Sequence, residues 1–170
     1  MGYNQSMNTE HNREERTANQ ELMKIRVGLP EDAWHKVEAE WLWAEKIEDS
    51  LYALRNVPYY AMGLSYDDRV KVENAGGTLS MLGVVSRGGH STYRIFAKRG
   101  HENAEVQALF TKLNNLHCDI EVATKKLIAV DVLPEADIHK VYAALKESEL
   151  AGIIDFQEGH CGHPLASKPQ

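Results

Sequence analysis

Across residues 23–87 the polar and apolar positions alternate with the period of a strand. Lys24-Ile25-Arg26-Val27-Gly28-Leu29 alternates and stops at Pro30. Residues 37–45 alternate in part and carry Trp41 and Trp43, and residues 50–57 follow at hairpin distance and end at Pro58. Residues 68–73 and 79–85 read as two further strands, and the Asn74-Ala75-Gly76-Gly77 segment between them has turn chemistry. Short strands with short connections predict a small curled sheet or barrel. A helix over residues 32–47, rich in Glu, Ala, Leu and Lys, is the competing reading; the strand is preferred.

The second half changes rhythm. Residues 92–97 read as a strand, and residues 103–116 place Val106, Leu109, Phe110, Leu113 and Leu116 at helical spacing. Residues 119–123 and 127–133 are strands separated by a turn at Thr124-Lys125-Lys126. Pro134 is expected to open a second helix with Ile138, Val141, Tyr142 and Leu145 on its apolar face. Residues 152–156 form a closing strand. The order β-α-β-β-α-β is the ferredoxin-like plan. The fold class is therefore α+β: a β-rich N-terminal half packed on a C-terminal ferredoxin-like unit.

Composition sets the frame around this pattern. The chain has 170 residues, with hydrophobic and charged fractions of 43% and 26%, enough for a single core or two small ones sharing a chain. Residues 1–22 are polar and almost without aliphatics, so they are expected to be a mobile tail, partly helical over residues 14–24 and not a secretory signal. Residues 23–163 form a single folded domain, divided into a β-rich part (23–87) and a ferredoxin-like part (88–158), and residues 164–170 form a second tail. No apolar run approaches the ~20 residues of a membrane span, and a pair of cysteines, Cys118 and Cys161, is no disulfide scaffold. A cytoplasmic location is the expectation. The net charge of -6 argues against nucleic acid and suits a basic partner.

Candidate chemistry gathers in two glycine motifs, Gly88-Gly89-His90-Ser91-Thr92-Tyr93-Arg94 and Gly159-His160-Cys161-Gly162-His163. In a ferredoxin-like sheet the first and last strands are antiparallel neighbours, so the segment before the first lies beside the segment after the last. His90, His160, Cys161 and His163 would meet at one end of the sheet, with Arg94 close by, as candidate catalytic residues. Imidazole and thiolate are zinc ligand types, although Cys-x-His is tighter than the usual structural spacing, and no metal is favoured. Gly88, Gly89, Ser91 and Thr92, with the fork of Arg94, are the donors of an anion site for a phosphorylated or carboxylated ligand. The heavier reading is structural: a glycine turn, hydroxyls bonded to local backbone, Arg94 paired with Asp131 or Asp155, and Cys161 a small hydrophobe. His117-Cys118 reads as a helix end, and Trp34, Trp41 and Trp43 as core or rim anchors.

Taken in order, Glu40-Trp41-Leu42-Trp43-Ala44-Glu45, Asn56-Val57-Pro58, Tyr66-Asp67-Asp68-Arg69-Val70, the Gly88 motif and Asp131-Val132-Leu133-Pro134 resemble an uncharacterised bacterial family, domain of unknown function 4265, over residues 24–163. The resemblance implies a bacterial, cytoplasmic, single-domain protein and supplies no activity. By analogy with small acidic bacterial proteins that serve as immunity or antitoxin partners, the expectation is a protein that binds and inhibits a basic toxin domain. Its interface would be Trp41 and Trp43 with Glu38, Glu40, Glu45, Glu48 and Asp49. The alternative is an enzyme or sensor using the His/Cys/Arg cluster on a small anionic molecule.

Overall fold

The structure, a computed structural model, describes residues 21–165. Of the expected tails, 1–22 and 164–170, residues 1–20 and 166–170 lie outside these residues, while Leu22 already belongs to a strand. Over the described residues the fold is α+β and rich in strand: a closed barrel of five strands is followed by a four-stranded sheet and two helices.

The barrel strands are β1 (Leu22–Gly28), β2 (Ala39–Glu48), β3 (Leu51–Leu54), β4 (Arg69–Ala75) and β5 (Thr78–Ser86). Because side chains alternate across a strand, Ile25, Val27, Leu42, Ala44, Tyr52, Leu54, Val70 and Val72 turn inward and form one core. Leu22 and Lys24 belong to β1, so the helix expected over residues 14–24 does not extend to its end. The helical reading of residues 32–47 also fails: residues 32–38 form turns and loop, and Ala39 onward is strand. Leu42 and Ala44 face the core while Trp41 and Trp43 face out, a period of two that no helix could satisfy. The β4–β5 hairpin turns at Gly76 and Gly77, whose φ values of 61° and 89° are the left-handed pair that a two-residue turn requires. Parallel pairing of β1 with β5, at Arg26 and Ser80, closes the barrel.

The second unit contains β6 (Ser91–Ala97), α1 (Ala104–Asn115), β7 (Cys118–Val122), β8 (Leu127–Val132), α2 (Ile138–Leu150) and β9 (Ile154–His160). Its strand order is β7-β8-β6-β9, every pair antiparallel. Asn103 caps α1 by accepting the Glu105 N–H at 3.0 Å. Val106, Leu109, Phe110 and Leu113 form the buried stripe of α1. Both helices pack on the face of the sheet that carries Tyr93, Ile95, Ile128, Val130 and Val132.

Three expectations change here. Pro134 precedes α2 without opening it; Asp137 is the cap, accepting the N–H groups of His139 and Lys140. Tyr142 is 48% exposed and Ala144 takes its place on the buried stripe. The closing strand continues to His160, so Gly159 and His160 lie inside it.

Among the described residues no helix lies on the other face of the four-stranded sheet. Residues 57–65, from the connection between β3 and β4, lie along it. Val57 N–H donates to Glu121 of β7, Gly63 N–H to the Gly159 carbonyl of β9 at 2.9 Å, and Thr92 Oγ1 of β6 to the Leu64 carbonyl at 3.1 Å. This connection couples the barrel to the sheet.

Candidate functional site

The start of β6 and the end of β9 do come together. Thr92 pairs with His160 across the strands, and a Cβ at Gly162 would overlap the His90 carbonyl oxygen. The sheet nevertheless splits the expected cluster. Ser91 lies on the helix-bearing face with Tyr93 and Ile95, whereas Thr92 and Arg94 lie on the face covered by residues 57–65.

On the helix side, Ser91 and His163 form a buried pair, with Ser91 Oγ 2.6 Å from His163 Nδ1. His163 Nε2 lies 2.9 Å from the Leu133 carbonyl, which only a protonated nitrogen can satisfy. Nδ1 of the neutral ring is therefore the acceptor, and Ser91 O–H donates to it. Ser91 Oγ in turn accepts the N–H groups of Gly162 at 2.9 Å and His163 at 3.3 Å. A serine paired to a histidine resembles a nucleophile with its base. This hydroxyl, however, is 0% exposed and its donor and acceptor capacity is filled. It fastens residues 161–163 to the sheet. Cys161 packs against the same core, with Sγ 3.7 Å from the His163 carbonyl.

On the other side, His90 Nδ1 is 2.8 Å from Oδ1 of Asp131, a wholly buried carboxylate, and the ring stacks at a tilt on Tyr66 with centroids 5.2 Å apart. His160 lies at the same end, and its Nε2 is buried without a hydrogen-bond partner among the described residues. Burial, and next the Arg87 cation, hold its imidazole below the ordinary value. Among the described residues no group of three or more His, Cys, Asp or Glu side chains converges as a metal site would require.

The expected anion cradle is filled by the protein itself. Gly88 N–H and Ser65 N–H each donate at 3.0 Å to Asp68, and Arg87 Nη1 donates to it at 2.8 Å. Asp68 is 1% exposed, so the carboxylate these donors hold is an internal one. A Cβ on Gly88 would stand 2.7 Å from the Asp67 carbonyl carbon, so only glycine permits this approach. Gly89 takes φ 87° beside Pro134. Thr92 is 2.9 Å from Ser65 Oγ. Arg94 pairs with neither Asp131 nor Asp155. It donates to the Ala61 carbonyl, to Met62 Sδ at 3.0 Å and to Gln157 at 3.3 Å, and its Nε has no partner among the described residues. At 4% exposed it is not placed to fork onto an external ligand, and burial lowers its pKa.

The residues expected at an interface also divide. Glu40 is buried and accepts the N–H groups of Tyr59, Tyr60 and Ala61. Glu45 is held by Arg55, with Oε2 2.6 Å from Nη2. Neither is a free surface acid; Glu38, Glu48 and Asp49 are exposed. Trp41 and Trp43 are 50% and 42% exposed on the outer wall of the barrel, and Trp34 projects from the loop before β2. Directly across from the β2 pair on β1 stand Arg26, opposite Trp41, and Lys24, opposite Trp43. Lys24 Nζ lies 4.9 Å over the Trp43 ring. The alternation Lys24-Ile25-Arg26-Val27 was visible in the sequence, but the register that sets those cations against the tryptophans was not. Asp68, Arg87 and Tyr66 were missed as contributors because the contacts that tie them to this site, Asp68 with Arg87 and Gly88 and Tyr66 with His90, join residues 19 or more positions apart.

Comparison with known proteins adds a fold and a family. A solved structure, described as "Novel crystal structure of a hypothetical protein from Neisseria gonorrhoeae", superposes with a TM-score of 0.73 at 18% identity, covering 86% of this chain and 99% of that one. No curated protein matches. The family described as Domain of unknown function (DUF4265) matches residues 40–156, and the chain belongs to it.

Proposed function

We propose that this chain is a protein-binding protein that docks through the outer wall of its barrel, and that its class is the immunity or antitoxin protein, inhibiting a toxin by direct contact. The observation that carries the reading is the exposed pair Trp41 and Trp43, aligned on one strand of a closed barrel. Large aromatic side chains on a rigid wall are the residues that anchor protein interfaces. The competing polar cluster supports the same choice, since Ser91, Thr92, His163 and Arg94 are committed to internal bonds. A cytoplasmic location belongs to this proposal. So does a ferredoxin-like assignment for the unit from β6 to β9, which its strand order and the two helices on one face support.

A second reading rests on His90. Asp131 holds its Nδ1, an arrangement that fixes the tautomer and leaves Nε2 to act as a base. A sensor or enzyme would use this dyad rather than the wider cluster.

The test is co-expression with the product of the adjacent reading frame. The wild-type chain is expected to co-purify with that product and to relieve its toxicity. A Trp41→Ala, Trp43→Ala double variant is expected to do neither while keeping its melting temperature. Equal protection by the double variant overturns the barrel wall as the interface. Loss of protection in His90→Ala alone, with binding intact, would favour the second reading.

A further inference from the structure

The chain is acidic overall, yet the exposed tryptophans stand against cations. Arg26 faces Trp41 and Lys24 faces Trp43 across the β1–β2 ladder, and neither cation enters an ion pair among the described residues. The nearest acid on the same wall, Glu45, is neutralised by Arg55 through Nε and Nη2. On β5, beside Arg26, the wall continues with Ser80, and Leu82 is 54% exposed. The remaining exposed acids of β2 and its turn, Glu48 and Asp49, lie past the bulge at Lys46, and Asp49 is paired with Lys46 at 2.8 Å. Glu38, just before β2, and Glu73 of β4, across from Ser80, are exposed further along, so what marks the wall at Trp41 and Trp43 is an apolar strip with the cations Lys24 and Arg26 directly across the ladder.

We infer that this wall receives an acidic, apolar segment of a protein partner, with carboxylates meeting Lys24 and Arg26 and aliphatic or aromatic side chains lying on Trp41 and Trp43. The inference rests on the barrel wall being the interface, and it reverses the sign of the partner's charge from that suggested by net composition. Cations beside an aromatic ring attract carboxylates while their stems extend the apolar surface. A single-stranded nucleic acid would find the same stacking surface. Two cations on a chain of net charge -6 are poor neutralisation for a continuous phosphate backbone, whereas they match a short acidic segment.

The test uses the full chain and three labelled probes of equal length: a peptide alternating Glu with Leu and Trp, the same peptide with Lys in place of Glu, and oligo-dT. The acidic peptide is expected to bind, to perturb the tryptophan emission, and to weaken as salt rises. Lys24→Glu with Arg26→Glu should weaken it by about tenfold, about 1.4 kcal/mol, since each exposed pair contributes only modestly. The same double variant should then bind the lysine peptide. Binding of the lysine peptide or oligo-dT in preference to the acidic peptide by the wild-type chain overturns the inference, as does no binding of any probe. If Trp41→Ala, Trp43→Ala abolishes capture of the adjacent gene's product while charge reversal leaves it unchanged, the inference fails and the barrel-wall interface stands.

Discussion

Glu40 and Arg94 hold the two ends of one residue: the Ala61 N–H donates to Glu40 Oε2 at 2.8 Å, and the Ala61 carbonyl accepts from Arg94 Nη2. Glu40 belongs to the barrel and Arg94 to the four-stranded sheet. The carboxylate also collects the N–H groups of Tyr59 and Tyr60, and its charge is the one that offsets the desolvation of the guanidinium. Two buried opposite charges thus act through a shared backbone segment, each satisfying groups that would otherwise be orphaned.

Glu40→Ala is expected to lower stability by about 3 kcal/mol or more, because it strands three backbone donors, each costing about 1–3 kcal/mol when left unsatisfied, and removes the carboxylate nearest to Arg94. Glu40→Gln keeps an acceptor and should cost less. In a double-mutant cycle with Arg94→Met, measured by urea unfolding, the two losses should fall short of additive by about 0.5–3 kcal/mol. Strict additivity would mean that the segment at Ala61 does not couple the two charges.

The Ser91 knot makes a separate prediction. Ser91→Ala removes the acceptor of two N–H groups and the donor to His163, for an expected loss of about 1–3 kcal/mol. Gly162→Ala should cost more, since its Cβ would meet backbone at His90 rather than a side chain that can swing away. Thermal unfolding of both variants checks the order. If Gly162→Ala proves the milder change, the C-terminal segment is not seated as tightly as these bonds require.

The comparison of sequence with structure divides along the range of the interactions. Strands with one buried face, such as β1 with Ile25 and Val27, and the stripe of Val106, Leu109, Phe110 and Leu113 on α1, declare themselves locally. The meeting of the two glycine motifs also followed, because it depends only on the order of the strands. What did not follow was which face each side chain takes. The pleat sends Ser91 and Arg94 to opposite sides of the sheet, and a one-residue difference decides it. Nor did the sequence reveal that Glu40 and Asp68 are internal. Both look like surface acids until residues 57–65 and 87–88 fold over them.

His160 gives the fold a pH dependence with a definite sign. Its folded pKa lies below the ordinary 6.5, owing to burial and then to Arg87, while Asp68 and Glu158 pull the other way. Above 6.5 the ring is neutral in both states and its contribution is whole. As pH falls below 6.5 the unfolded chain takes up the proton first, so it binds more protons and stability declines until the folded pKa is reached. Protonation would also place a donor at Nε2, where no acceptor lies among the described residues. Urea midpoints at about pH 7.5 and about pH 5.5, on either side of the unfolded value, should separate less in His160→Gln than in the wild-type chain. An unchanged separation would remove His160 as the source.

Cys118 reports on whether barrel and sheet open together. It is 2% exposed beneath α1, and burial, followed by the nearby Asp131 and Asp119, pushes its thiol up to about 12. The thiolate is the reactive form, so at about pH 8 this cysteine should resist alkylation in the folded chain. Cys161 is only partly buried and should react first. Iodoacetamide labelling followed by peptide mass analysis is expected to find Cys118 unmodified until the sheet opens, and modified at once in denaturant. The informative case is Glu40→Ala, whose substitution lies in the barrel while Cys118 lies in the sheet. If residues 57–65 bind the two units into one cooperative structure, labelling of Cys118 should accelerate in proportion to the lost stability, because opening is then global. A barrel that loosens while Cys118 stays protected would mean two separable units.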